Sequence, residues 1–221
     1  VNFSVLAKIA VMFQALFVAV GVLWTATYLL IIQRGFRDRT YGMPAAALCA
    51  NVSWEILYAF VWPQSAPEVA VNVTWLLFDL VLIGQFLRFA PAEHRDVPRA
   101  LLYGGFALGL ATAFPIVLLI CRDLNQGRGG YAAFGMDLMM SILFVAMLRR
   151  RGSVRGQSLW IAATKTTGSA LAGFTAWHGG RIPPGTALMP FLIVANLAWN
   201  CVYTSLLWRT ARRDGVPLWR L

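Results

Sequence analysis

Long apolar runs separated by short polar connections dominate the chain. Seven runs, at about 9–32, 44–62, 69–89, 100–121, 131–148, 157–176 and 187–208, come close to or exceed the ~20 mostly apolar residues that a bilayer-spanning helix needs. They are too long and too continuous for barrel strands, and backbone polar groups in lipid must be satisfied internally, which leaves helices. The expected fold is an all-α membrane protein, seven transmembrane helices in one bundle, with residues 1–221 as a single domain. Glycine and proline punctuate the boundaries: Gly42 and Pro44, Pro63 and Pro67, Pro91 and Pro98, Gly127 to Gly130, Pro183 and Pro184. Pro115 and Pro190 fall inside or near span starts, where they would kink a helix. The longest connections, such as PAEHRDVPR and HGGRIPPGT, are too short for a soluble domain.

Charge refines this picture. Only 13% of residues are charged, yet the net charge is +10. Nucleic acid is excluded as a partner by where the charges sit. The connections after spans one, three, five and seven hold 14 of the 19 basic residues: Arg34, Arg37, Arg39, Arg88, Arg95, Arg99, Arg149, Arg150, Arg151, Arg155, Arg209, Arg212, Arg213 and Arg220. The opposite connections hold Arg122, Arg128 and Arg181. The positive-inside rule then places the N-terminus outside and the C-terminus in the cytoplasm. Arginine outnumbers lysine 17 to two, amid abundant Ala and Gly, which points to a GC-rich bacterial genome and a bacterial cytoplasmic membrane. Cys49, Cys121 and Cys201 lie at different depths in spans, so no disulfide is expected, and no zinc-ligand spacing occurs.

Polar residues inside the runs carry the candidate chemistry. Glu55, Asp79 and Asp137 are intramembrane acids, each costing ~2.5–3.5 kcal/mol at a helix centre. Such groups face the bundle interior and mark a pathway or a site. Helical spacing puts Asn51, Glu55, Tyr58 and Trp62 on one stripe, beside Trp54. It puts Trp75, Asp79 and Phe86 on a second, and Phe134, Asp137, Ser141 and Phe144 on a third. Span seven adds Asn196, Trp199, Asn200 and Tyr203. Turned inward, these faces would line a pocket with aromatic walls and a few acids in the outer half of the bundle.

Plainer roles compete with this one. Trp62 and Trp208 suit an interfacial belt, and the three asparagines suit bonds between helices. Lys165 would pair with an acid or snorkel. His178 reads as an exposed loop residue, and Glu93 and Asp96 as a solvated loop.

The stretches NVSWEILYAF, residues 51–60, and WLLFDLVL, residues 75–82, together with the length and span number, resemble a family. This family is the small seven-span terpene cyclases of fungal meroterpenoid and indole-diterpene pathways, with bacterial counterparts that cyclise farnesylated indole alkaloids of the drimentine type. The resemblance implies a cyclase that protonates a prenyl chain, with Glu55 as the proton donor and Asp79 as a recurrent acid of span three. The fungal members carry a further acid in the last span, and Asn200 stands near that position here. Asp79 or Asp137 would then supply the second acid.

The residues themselves agree with protonation. No DDxxD-like cluster is present for Mg²⁺-bound diphosphate, and isolated acids suit proton donation better than chelation. No cofactor or metal is expected. An acid in an apolar surrounding is held most cheaply as its neutral carboxyl. Aromatic faces would stabilise the cation formed, at ~2 kcal/mol or more per desolvated ring, and a dry wall would keep water from quenching it. The partner would be a lipophilic, prenylated small molecule arriving from the bilayer. Two rival readings compete with this one. A proton-coupled carrier or small-molecule binder would account for the acids and for the Pro63–Gln64 pair, but no paired three-helix repeat is evident. A retinal protein would need a lysine in span seven, which has none.

Overall fold

The computed structural model describes residues 3–125, 129–179, 182 and 186–217, with the side chains of 3–7, 9, 10 and 125 left aside. Gly127, Arg128, Gly180, Arg181, Pro183, Pro184 and Arg220 lie outside the described residues. Each apolar run folds as a helix: α1 Phe3–Asp38, α2 Ala45–Ile56, α3 Ala66–Glu93, α4 Arg99–Asn125, α5 Gly130–Arg151, α6 Leu159–His178 and α7 Leu188–Arg213. Five of these are long and apolar enough to cross a membrane: α1, α3, α4, α5 and α7. The other two are shorter or more polar for visible reasons. α2 carries Asn51, Ser53 and Glu55, and α6 carries Lys165 and Ser169, all buried.

Local signals set the helix ends. Ser65 N–H donates to Glu68 Oε2 at 3.4 Å in a capping box, with Pro67 in the first turn of α3. Ser158 Oγ accepts from Ile161 N–H at 3.3 Å and starts α6. The helix α2 does not stop at Ile56. It widens into a π turn over Leu57–Val61, closed by Trp62 N–H donating to the Leu57 carbonyl at 2.7 Å. Single π turns within helices recur at functional sites.

Pro91 departs from its expected role. Pro91 does not end α3 but lies inside its last turns. Without an N–H, Pro91 leaves the Leu87 carbonyl unpaired in the helix. The Tyr103 hydroxyl of α4 donates to that carbonyl at 3.0 Å and fills the gap.

The closest-packed pairs are not neighbours in sequence: α1 with α6, α5 with α7 and α2 with α4. The main core runs between them, with Tyr28, Leu48, Leu82, Phe144, Ile161, Tyr203 and Leu207 all nearly solvent-free.

The basic connections gather at one end of this bundle. Arg155 donates to the carbonyls of Asp38 at 3.1 Å and Arg39 at 2.7 Å, and Arg213 donates to that of Gly152 at 2.7 Å. Arg151 meets Glu93 Oε2 at 3.1 Å and the Tyr41 carbonyl at 2.9 Å. The expectation for Glu93 is corrected here. It terminates α3 with a side chain only 8% exposed, held by Arg151 and by the Thr40 hydroxyl, because α3 runs on past Pro91 and delivers it into the arginine cluster. Beside it, His94 Nε2 lies 3.1 Å from the Tyr41 hydroxyl and 3.2 Å from Arg150 Nη1. Burial and the Arg150 charge hold His94 below the usual imidazole range.

We expect this basic end to be cytoplasmic, with the N-terminus outside. Reporter fusions at Gly152 and Gly180 check this: they should sit on opposite sides, and a same-side result removes the seven-span topology.

Candidate functional site

The site begins on α2. Glu55 is 2% exposed and points toward α1 and α3. The Tyr28 hydroxyl of α1 donates to Glu55 Oε1 at 3.4 Å and accepts from Asn51 Nδ2 at 2.7 Å. Asn51 stands one helical turn before Glu55, so a single face of α2 supplies both the acid and the amide that orients the tyrosine. Asp79 of α3 is fully buried and is the other acidic neighbour of Tyr28. Neither Asp79 oxygen nor Glu55 Oε2 has a hydrogen-bond partner among the described residues. No cation pairs with either acid among those residues.

Aromatic rings close around this group. Trp75 stacks on Tyr28 with centroids 6.0 Å apart, and Phe78 lies at 5.9 Å. The Trp75 indole N–H donates to Thr25 Oγ1 at 3.0 Å, which fixes the ring. Three helices thus bring two acids, a phenol, an amide and three aromatic faces together in a buried volume.

A second polar group lies between α5, α6 and α7, and its character is opposite. Lys165 is fully buried and donates to Asp137 Oδ1 at 2.6 Å, Ser141 Oγ at 2.7 Å and Asn200 Oδ1 at 3.0 Å. Its three protons are all used. Asp137 Oδ2 accepts from Ser169 Oγ at 2.5 Å and Asn196 Nδ2 at 2.6 Å. Asn200 Nδ2 donates to Asn196 Oδ1 at 2.6 Å. Every charge here is paired and hydrogen-bonded, as a buried ion pair requires. Lys165 also sits 5.6 Å from the centre of the Trp24 ring on α1, one turn before Tyr28.

The sequence-derived residues therefore divide. The structure brings together Glu55, Asp79, Asn51 and Trp75. It places Asp137, Asn196 and Asn200 in the Lys165 network. Trp54 and Tyr58 pack against each other, ring centroids 4.3 Å apart and planes tilted by 42°, in a separate cluster with Leu57, Val117 and Cys121. Gly129 fits against both rings with φ 73°, and a Cβ there would collide with them. Phe134 is partly buried beside Tyr131 and Ile193, and Tyr203 packs on Phe144 at 5.3 Å. Trp199 is 37% exposed and leaves the inward face of α7, since it lies about 100° from Asn200 around the helix. Tyr28 went unmarked in the sequence because α1 reads as a uniformly apolar span. The available signal was Thr25 and Tyr28, two polar groups three residues apart on one face.

Residues 2–213 match the family model described as Pyr4-like transmembrane terpene cyclases. The chain belongs to this family. It is 30% identical over 209 residues to the Pyr4-family terpene cyclase mfmH of Annulohypoxylon moriforme, covering 87% of this chain and 86% of the relative. It is 29% identical over 221 residues to the terpene cyclase pyr4 of Aspergillus fumigatus, covering 89% and 86%. The terpene cyclase macJ of Penicillium terrestre is 29% identical over 197 residues, covering 84% and 76%. No solved structure matches. The carrier reading lapses with this membership: the chain is an integral membrane protein of a terpene cyclase family. These relatives are fungal and lend nothing to the bacterial origin read from composition.

Proposed function

We propose that this cyclase starts a carbocation cyclisation by protonating the prenyl chain, most simply a farnesyl chain, of a prenylated aromatic or indole-alkaloid substrate. The observation that carries the reading is the contrast between the two buried polar groups. Asp137 is neutralised by Lys165, whereas Glu55 and Asp79 lie buried with no cation paired to them among the described residues. A carboxyl so placed is most cheaply kept neutral, which makes it a reservoir of transferable protons. Glu55 is the donor. When its proton leaves, the Tyr28 hydroxyl, itself held by Asn51, supports the carboxylate that remains. Asp79 is the second acid and reloads the donor.

The proton adds to the terminal alkene or epoxide, a tertiary cation forms, and the neighbouring double bonds close onto it. The faces of Trp75, Phe78 and Tyr28, packed together beside the acids, would stabilise such a cation. Loss of a proton ends the sequence, so the product is an isomer of the substrate. Mg²⁺ has no part in this scheme, because the acids stand singly on separate helices rather than in a chelating cluster.

One experiment tests the scheme. Membranes holding the protein are equilibrated in D₂O with excess EDTA and given a farnesylated indole alkaloid. The expected outcome is a product of isomeric composition with one deuterium at the prenyl end for an alkene substrate. An epoxide substrate would place the label on an exchangeable hydroxyl. Loss of activity that Mg²⁺ restores would overturn the scheme in favour of diphosphate ionisation.

A further inference from the structure

The arginines at the basic end are not all used in the same way. Arg151 and Arg155 meet Glu93, and Arg213 meets Asp214. Arg88, Arg95 and Arg99 have no ion pair among the described residues. These three line one cavity of about 460 Å³ between the end of α3 and the start of α4, together with Leu87, Pro91 and Tyr103. No carboxylate lines it. Of the acids nearest in sequence, Glu93 is committed to Arg151, and Asp96 stands on the connection away from the lining.

The cavity has a structural origin. Pro91 removes a helix hydrogen bond, and the Tyr103 hydroxyl answers it at the Leu87 carbonyl. That bond ties α3 to α4 just where Arg88 projects from one helix, Arg99 from the other and Arg95 from the connection between them. Arg99 is also the first residue of α4, where Leu102 N–H bonds to the Pro98 carbonyl. The N–H groups of Arg99, Ala100 and Leu101 therefore have no acceptor within the helix, and the positive end of the helix dipole faces the same place.

We infer that this cavity is a binding site for the phosphate of an anionic lipid headgroup. Guanidinium groups bind phosphate in bidentate fashion, and three of them line this cavity with no acid in its wall; Arg95 spends only its Nε, on the Ala92 carbonyl at 3.3 Å, and Arg88 lies 5.5 Å from the centre of the Phe89 ring. The membrane is the favoured source of the phosphate. Leu87, which lines the cavity, is 42% exposed, an apolar surface on which an acyl chain can rest. The arginines project where apolar helix gives way to polar connection, at headgroup level.

The test uses the purified full-length chain in a neutral detergent. Phosphatidylglycerol, phosphatidylcholine, inorganic phosphate and diphosphate are added separately, and retention is followed by native mass spectrometry and by the shift in Tm. The expected result is that phosphatidylglycerol is retained and raises Tm, while phosphatidylcholine does neither. Each arginine replaced should weaken retention about fivefold, and R88Q/R95Q/R99Q on the order of a hundredfold. These side chains are exposed, so the triple variant should fold. R88K/R95K/R99K keeps the charge but not the fork and should fall between wild type and the glutamine variant. R209Q/R212Q, two arginines removed elsewhere at the same end, should bind as wild type. Equal retention of the two lipids, or undiminished retention by the glutamine triple, overturns the site. Inorganic phosphate or diphosphate matching phosphatidylglycerol at equal concentration overturns the lipid as its ligand.

Discussion

Glu55→Gln abolishes cyclisation while leaving the bundle folded. Glutamine keeps the shape and still accepts from the Tyr28 hydroxyl through its amide oxygen, but it has no acidic proton to give. Turnover should fall by at least about a thousandfold, since the substitution removes the initiating acid and general acid catalysis alone is worth 10²–10⁴. The Tm should move by no more than a few degrees, because a neutral acid and an amide place similar demands on a buried site. Asp79→Asn should be milder, roughly 10- to 100-fold, if its task is to reload the donor. The paired measurement is product formation by mass spectrometry against thermal unfolding in detergent. A Glu55→Gln variant that cyclises at the wild-type rate removes Glu55 from the mechanism.

Lys165→Met behaves in the reverse manner. It leaves Asp137 as an uncompensated charge in the middle of three helices. Breaking one partner of a buried pair costs about 3–5 kcal/mol, which for a chain of this size lowers Tm by about 10 °C. The double variant Lys165→Met with Asp137→Leu removes both charges and should recover most of that loss. Protein that remains folded should still cyclise substrate, because the network touches neither Glu55 nor Asp79. An unchanged Tm in the single variant, or lost turnover in a fully stable one, would overturn the structural role.

Much of this was readable from the chain before any coordinates. Seven apolar runs became seven helices, because run length and continuity constrain a membrane helix strongly. Glu55 and Asp79 stood out because an acid in an apolar run is costly enough to need a reason. Partners across the bundle were not readable. Asp137 looked the same as Asp79 along its own helix, and only the arrival of Lys165 from α6 separates their characters. Tyr28 was hidden because a tyrosine in a long apolar helix carries no cost that singles it out. Glu93 reads as solvated in the sequence because Pro91 signals a helix end, whereas a hydroxyl from α4 lets the helix continue past it.

The π turn after Glu55 has a consequence in evolutionary terms. It holds one residue more than an α-helix would need between Ile56 and Trp62, and the helix before it is undisturbed. Such a turn is where an ancestral helix absorbs an insertion: the extra residue is accommodated locally, and everything beyond it is rotated by roughly 100°. A descendant that lost one residue between 57 and 61 would keep Glu55, Asn51 and their tyrosine in place. It would present a different set of side chains from the end of that helix. Divergence among such enzymes can thus proceed by changes in length that leave the acid itself untouched.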